Sequence, residues 1–214
     1  MESRRNWTEF PLGIVPGFIP YMAVFAGMYV LHSAWTAMLL YHLGIVLAIS
    51  LHRRWDLLAT LIRGFRGSIL SGLIPVYLSA GIIIYFFWPV AGLEHLQLAD
   101  ALASFGLQPT SLSIFVVYYC VVNSTLEELF WRGLLIDKSR LIGWSDLVFS
   151  GYHGLVMGLF VSWFWVGLSF VLLAVGALIW RTVARRLGGL ALPWLTHLAA
   201  DTGVMAAVYL LLMQ

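Results

Sequence analysis

The sequence predicts an all-α, polytopic membrane helix bundle of about seven spans, with its N-terminus on the cytoplasmic side. Three observations predict it. The 214 residues are 61% hydrophobic, with a mean hydropathy of +0.91, above the apolar share of soluble domains. Only 10% are charged. The lysines and arginines fall almost entirely in alternate loops between the apolar stretches, as cytoplasmic loops require.

A span needs about 20 mostly apolar residues. Residues 11–31, 34–51, 68–90, 111–135, 146–160, 162–180 and 189–212 supply seven candidates, the fifth short and the first two nearly touching. The first follows a basic start, carries three prolines and lacks a small-residue cleavage site, so a retained span is expected rather than a signal peptide. "LHSAW", "HRRWDLLATLIRGFRG", "AGLEHLQLADALASFGLQPT", "DKSRLIGW" and "RTVARRLGG" separate spans. Within these, "LADALASFGLQ" reads either as a short surface helix or as an ordinary loop. "RRWDLLATLIRGFRG" has basic residues around an apolar stripe that suits the inner interface. No repeat, low-complexity tract or linker divides the chain, and residues 1–214 read as one membrane-embedded domain.

With the N-terminus inside, Arg4/Arg5, Arg53/Arg54/Arg63/Arg66, Lys138/Arg140 and Arg181/Arg185/Arg186 all fall on the cytoplasmic side. The opposite side holds Glu94 and Asp100. Trp7, Trp55, Trp144 and Trp180 are expected near the inner interface, and Trp35, Trp88 and Trp163 near the outer one. A formal charge of +2 gives no reason to expect a nucleic-acid partner. The single cysteine, Cys120, excludes an internal disulfide and any multi-cysteine metal site, and reads as a packing residue.

One charged group escapes the basic loops. In "VVNSTLEELFWRGLL", Glu127, Glu128 and Arg132 lie inside an apolar run. Ionisable groups in a membrane are costly and are usually paired or face a cavity. Arg132 lies four residues after Glu128, nearly on the same helix face, so those two are expected to pair. Glu127 is rotated away and is left to project toward a neighbouring helix. Asn123, four residues before it, is expected to hydrogen-bond it.

Two other spans carry polar groups in the same pattern. "LVFSGYHGLVMG" places Phe149 and His153 at i and i+4, and "LPWLTHLAADTG" does the same for His197 and Asp201. Counted from the inner edge, Glu127, His153 and His197 each lie about 7–8 residues in, roughly 10–12 Å at 1.5 Å per residue. Three helices therefore deliver glutamate and two histidines to one layer, around a pocket expected to open toward the cytoplasm. His32, His42, His52 and His95 fall mostly near interfaces and are expected to take no part.

Glu127-Glu128-x-x-x-Arg132, Phe149-x-x-x-His153 and His197-x-x-x-Asp201, in that order on successive helices, resemble the three motifs of the CAAX protease and bacteriocin-processing family, which includes the Rce1-type prenyl-protein endopeptidases. The likeness runs from Glu127 to Asp201. It implies a glutamate-dependent intramembrane endopeptidase with no cofactor and no catalytic metal. By that resemblance, Glu127 and His153 activate a water, Glu128 and Arg132 hold the motif helix, and His197 with Asp201 stabilises the oxyanion, with Asn123 and Phe149 in support. Many members carry Asn where this chain has Asp201, and an ionised Asp would repel an oxyanion. Asp201 is then expected to orient His197 or to remain protonated.

The implied partners are the lipid bilayer and a protein or peptide substrate cut near its C-terminus or membrane-proximal tail. Relatives cleave after a prenylated cysteine, process secreted peptides or confer immunity to them, or cut other tails. The small size and short loops lead us to expect a bacterial or archaeal cell membrane. Three other functions use the same residues. Glu127, His153 and His197 match a two-histidine, one-carboxylate metal site of a metal-dependent peptidase. A non-catalytic immunity or scaffold protein would keep the cluster for structure alone. A proton-coupled transporter is disfavoured by the one-sided cluster and the lack of an inverted repeat.

Overall fold

The structure, a computed structural model, describes residues 14–93 and 97–213. Arg4, Arg5, Trp7, Glu94 and His95 lie outside the described residues. Among those described, every regular element is helical, with a single isolated bridge between Gly92 and Val161. Each of the seven expected stretches holds a helix. Five of these are long and apolar enough to cross a membrane, and the chain is an integral membrane protein.

Helix α1, Val15–Val30, begins as a tight turn around Pro16, continues with Pro20 in its first α turn and ends in a π turn over Phe25–Val30. Proline is tolerated at such starts because its missing N–H has no intrahelical partner to lose. At 16 residues α1 is only about 24 Å long. α2, Ala34–Leu51, starts at Ser33, whose hydroxyl accepts the Thr36 N–H at 3.1 Å. Gly27 of α1 lies flat on the Ala37 backbone, where any side chain would collide, so these two helices touch closely. A 3₁₀ turn, Trp55–Thr60, follows on the "RRWDLLATLIRGFRG" segment.

α3, Gly67–Ala91, runs 25 residues with Pro75 and Pro89 inside it. It is largely exposed and packs lengthwise on the last helix, with Gly81 and Gly203 letting the backbones meet. The short α4, Leu98–Ser104, is the surface helix of the two readings left open for that segment. α5, Pro109–Leu134, carries the paired glutamates. α6, Trp144–Met157, is capped by Asp146, which accepts the Gly143 N–H at 2.9 Å. Its 14 residues reach only about 21 Å. α7, Trp163–Leu187, ends at Gly188 in the left-handed conformation that favours glycine. α8, Ala191–Leu212, completes the bundle.

α5 sits at the centre, touched by α2, α7, α8 and the 3₁₀ turn, and every residue from Glu127 to Leu135 is buried. Outward-facing residues such as Ile82, Phe86, Phe164 and Leu172 are exposed on the bundle's surface. An apolar belt of this size is suited to lipid rather than water.

One expectation is corrected at the end of α7. The helix runs seven residues past the span expected to stop at 180, and Trp180 and Arg181 are both buried within the bundle. Arg181 pairs with Asp146 at 2.6 Å and donates to the carbonyls of Asp137, Ser139 and Leu141. The charge ends the hydropathy window, but these partners from α6 and the preceding loop neutralise it and let the helix continue.

Candidate active site

Two π turns, Tyr119–Asn123 and Glu128–Leu134, flank a single α turn, Ser124–Glu127, in the middle of α5. Such insertions shift the register of the side chains that follow and recur at functional sites. Glu127 and Glu128 are completely buried, and Arg132 nearly so. Glu128 Oε1 lies 3.2 Å from Arg132 Nη1, the expected ion pair. The guanidinium also rests over the rings of Phe149, at 4.3 Å, and Trp180, at 4.9 Å, where the ring faces attract its charge. Glu127, one residue earlier, points to α6, where Tyr152 donates its hydroxyl proton to Oε1.

α8 brings His197 against both glutamates. Its Nδ1 is 2.8 Å from Glu128 Oε1. An ionised carboxylate only accepts, so Nδ1 carries the proton there. Nε2 then faces Oε2 of Glu127 at 3.5 Å and Oδ1 of Asp201 at 3.7 Å. The Trp180 indole stacks on the imidazole, centroids 4.6 Å apart and 19° from parallel, and anchors itself by donating to Thr196 Oγ1 at 3.0 Å. The histidine ring is thereby held in plane and in tilt.

On α6, His153 Nδ1 lies 2.8 Å from the Phe149 carbonyl, which again fixes the proton on Nδ1. The Phe149 ring packs edge-on to His153 at 4.7 Å. Nε2 of His153 is 3.2 Å from the Tyr152 hydroxyl. The Tyr152 hydroxyl thus stands between Glu127 and His153, while Glu127 and His197 face each other directly.

Asn123 departs from expectation. Its Oδ1 accepts from Nε2 of His42 at 3.2 Å rather than serving Glu127, and Nδ1 of His42 meets the Tyr118 hydroxyl at 2.9 Å. The turn Ser124–Glu127 between the two is regular α-helix, so it is a partner on α2, the His42 imidazole, that takes the amide. His42 is accordingly buried between α2 and α5.

Within the cluster, Glu127 Oε2, Glu128 Oε2, Asp201 Oδ2 and both terminal nitrogens of Arg132 are buried without a protein hydrogen-bond partner. Polar atoms of this kind normally find a partner, so the site is chemically suited to water or to a polar group of a substrate. A cavity of about 220 Å³ lies beside it, with Arg132 and Gly133 on one wall and Arg185, Gly188 and Gly189 on another. Among the described residues, no group of three or more His, Cys, Asp or Glu side chains has the arrangement of a metal site.

Tyr152, Trp180 and His42 are the polar and aromatic members that sequence reasoning missed. Tyr152 had one signal, its place beside His153 in "SGYHG". Trp180 had only its adjacency to Arg181.

Residues 109–203, a segment that contains all three motifs and most of this geometry, match the family model described as type II CAAX prenyl endopeptidase Rce1-like. No curated protein and no solved structure matches the chain. Over that segment, the chain is similar to the Rce1-like family, a family of peptidases.

Proposed function

We propose that this chain is an intramembrane endopeptidase of the CAAX-protease type, in which Glu127 and His153 activate a water. The observation that carries the reading is the convergence on Glu127: one oxygen accepts from Tyr152, whose hydroxyl lies 3.2 Å from His153 Nε2, and the other faces His197 at 3.5 Å. A water held between Glu127 Oε2 and His153 Nε2 attacks the peptide carbonyl carbon and gives its proton to Glu127. The carbonyl oxygen becomes an oxyanion. Since Nδ1 of His197 is committed to Glu128, the donor to that oxyanion is Nε2–H, and the ring is imidazolium at that step. Collapse breaks the C–N bond, and Glu127 returns the proton to the leaving amine.

The other residues hold this arrangement. Glu128 and Arg132 fix His197 from behind, and Phe149 does the same for His153 through its carbonyl. Asp201 aligns Nε2 of His197 and its unpartnered Oδ2 accepts from water or substrate. Asn123 braces α5 against α2 through His42.

The bundle acts as one domain over residues 1–214, with seven membrane segments, α1 and α6 being the short ones. The N-terminus and the basic loops lie in the cytoplasm, and the cavity beside Arg132 and Arg185 supports access from that side. The substrate is a protein or peptide presented from the cytoplasmic leaflet and cut near its C-terminus or membrane-proximal tail, in a bacterial or archaeal cell membrane. The test is a comparison of membrane-protein termini in cells expressing the wild-type chain or Glu127→Gln. New termini that depend on Glu127 are expected; identical terminus sets would remove the peptidase reading.

A further inference from the structure

The Tyr152 hydroxyl stands between the two residues assigned to the water. It donates to Glu127 Oε1 and lies 3.2 Å from His153 Nε2. A phenol has one proton to give. His153 Nδ1 uses its proton on the Phe149 carbonyl, so in the neutral ring Nε2 is a lone pair. The phenolic proton therefore serves one acceptor, and the carboxylate of Glu127, the stronger acceptor of the two, takes it. Two consequences follow for the site. Oε1 of Glu127 is occupied, so Oε2, which has no protein hydrogen-bond donor, is the oxygen left for a water. Nε2 of His153 keeps its lone pair beside the same carboxylate.

The phenol ring is held tightly enough to enforce this. It is buried, lies nearly parallel to Trp131 at 6.3 Å and 6°, meets Phe149 edge-on at 5.9 Å, and contacts Tyr41 at 5.5 Å. Trp131 in turn donates to the Tyr41 hydroxyl at 2.8 Å. An aromatic cage spanning α2, α5 and α6 thus fixes the position of one hydroxyl.

We propose that Tyr152 is a positioning residue for hydrolysis, whose hydroxyl sets which oxygen of Glu127 faces the water, beside the lone pair that the Phe149 carbonyl leaves on His153 Nε2. The proposal rests on the reading of Glu127 and His153 as the water-activating pair.

Tyr152→Phe keeps the ring and its cage while deleting the hydroxyl. The full chain in nanodiscs is assayed on a synthetic peptide spanning a cleavage site found by the terminus comparison. A kcat lower by about 10–100-fold is expected, as for a catalytic group left about 1 Å out of place, with KM unchanged. In the same sample labelled with ¹⁵N-histidine, the His153 Nε2 resonance is expected to move. A kcat equal to or above wild type, or an unmoved resonance, overturns the proposal. If the Phe variant does not fold, 3-fluorotyrosine at position 152 retains every contact while altering the acidity of the hydroxyl. A changed kcat at constant KM then supports the proposal and an unchanged kcat overturns it. Full activity in Glu127→Gln would instead overturn the underlying reading. Loss there, with normal turnover in Tyr152→Phe, defeats only the role of Tyr152.

Discussion

Nδ1 of His197 sits 2.8 Å from Oε1 of Glu128, tying α8 to α5 at the level of the buried charges. The same oxygen lies 3.2 Å from Arg132, so Glu128 serves two helices at once. Glu127 is thereby relieved of structural pairing with Arg132, and its Oε2 remains without a hydrogen-bond partner in the protein.

Glu128→Gln is expected to destabilise the fold as well as the reaction. It leaves Arg132 buried without its counter-charge, and breaking a buried pair from one side costs about 3–5 kcal/mol. Thermal unfolding in detergent measures this. Replacing Glu128 and Arg132 together with apolar residues of similar volume should recover much of the stability and none of the activity.

Asp201→Asn should preserve turnover. The amide keeps an acceptor near Nε2 of His197 and adds an N–H donor for an oxyanion. Asp201→Ala removes both and should lower kcat, with a loss of up to about 10²–10³-fold if the group contacts the oxyanion. Peptide cleavage by the two variants, compared at equal folded concentration, decides the matter. An Asn variant as inactive as the Ala variant would show that the carboxylate charge itself is required.

Arg181→Met should unfold the end of the bundle formed by the C-terminal part of α7 and the start of α6 more readily than any surface arginine change. It abandons Asp146 and strips donors from the carbonyls of Asp137, Ser139 and Leu141. The expected cost is about 3–5 kcal/mol. Arg185→Met, which removes an exposed side chain, should cost far less; denaturant titration of the two variants reads the difference.

Strict chelation should leave peptide cleavage unchanged, with metal content well below one per chain. Activity that disappears on chelation and returns with one metal ion per chain would replace the glutamate mechanism with a metal-dependent one.

The relationships legible in the sequence were those governed by helix periodicity and depth. Glu128 and Arg132 pair because a helix brings i and i+4 together, and Glu127 and His197 meet because both stand at one level of adjacent spans. Relationships set by distant partners were not legible. Asn123 turns to His42, 81 residues away on α2, a partner that helix periodicity within α5 does not announce. Trp180 lies over His197 because α7 continues through Arg181, and what permits that is Asp146, on another helix. Tyr152 carries no charge, and beyond its place beside His153 nothing in the pattern marked its hydroxyl as the donor to Glu127.

The most direct measurement is the hydrolysis rate of purified wild type and Glu127→Gln in nanodiscs, with unfolding temperatures recorded alongside. The account predicts a fall of about 10²–10⁴-fold, the range for loss of a general base, with the unfolding temperature nearly unchanged because Gln still accepts from Tyr152. Hydrolysis at the wild-type rate by a folded Glu127→Gln chain would contradict it.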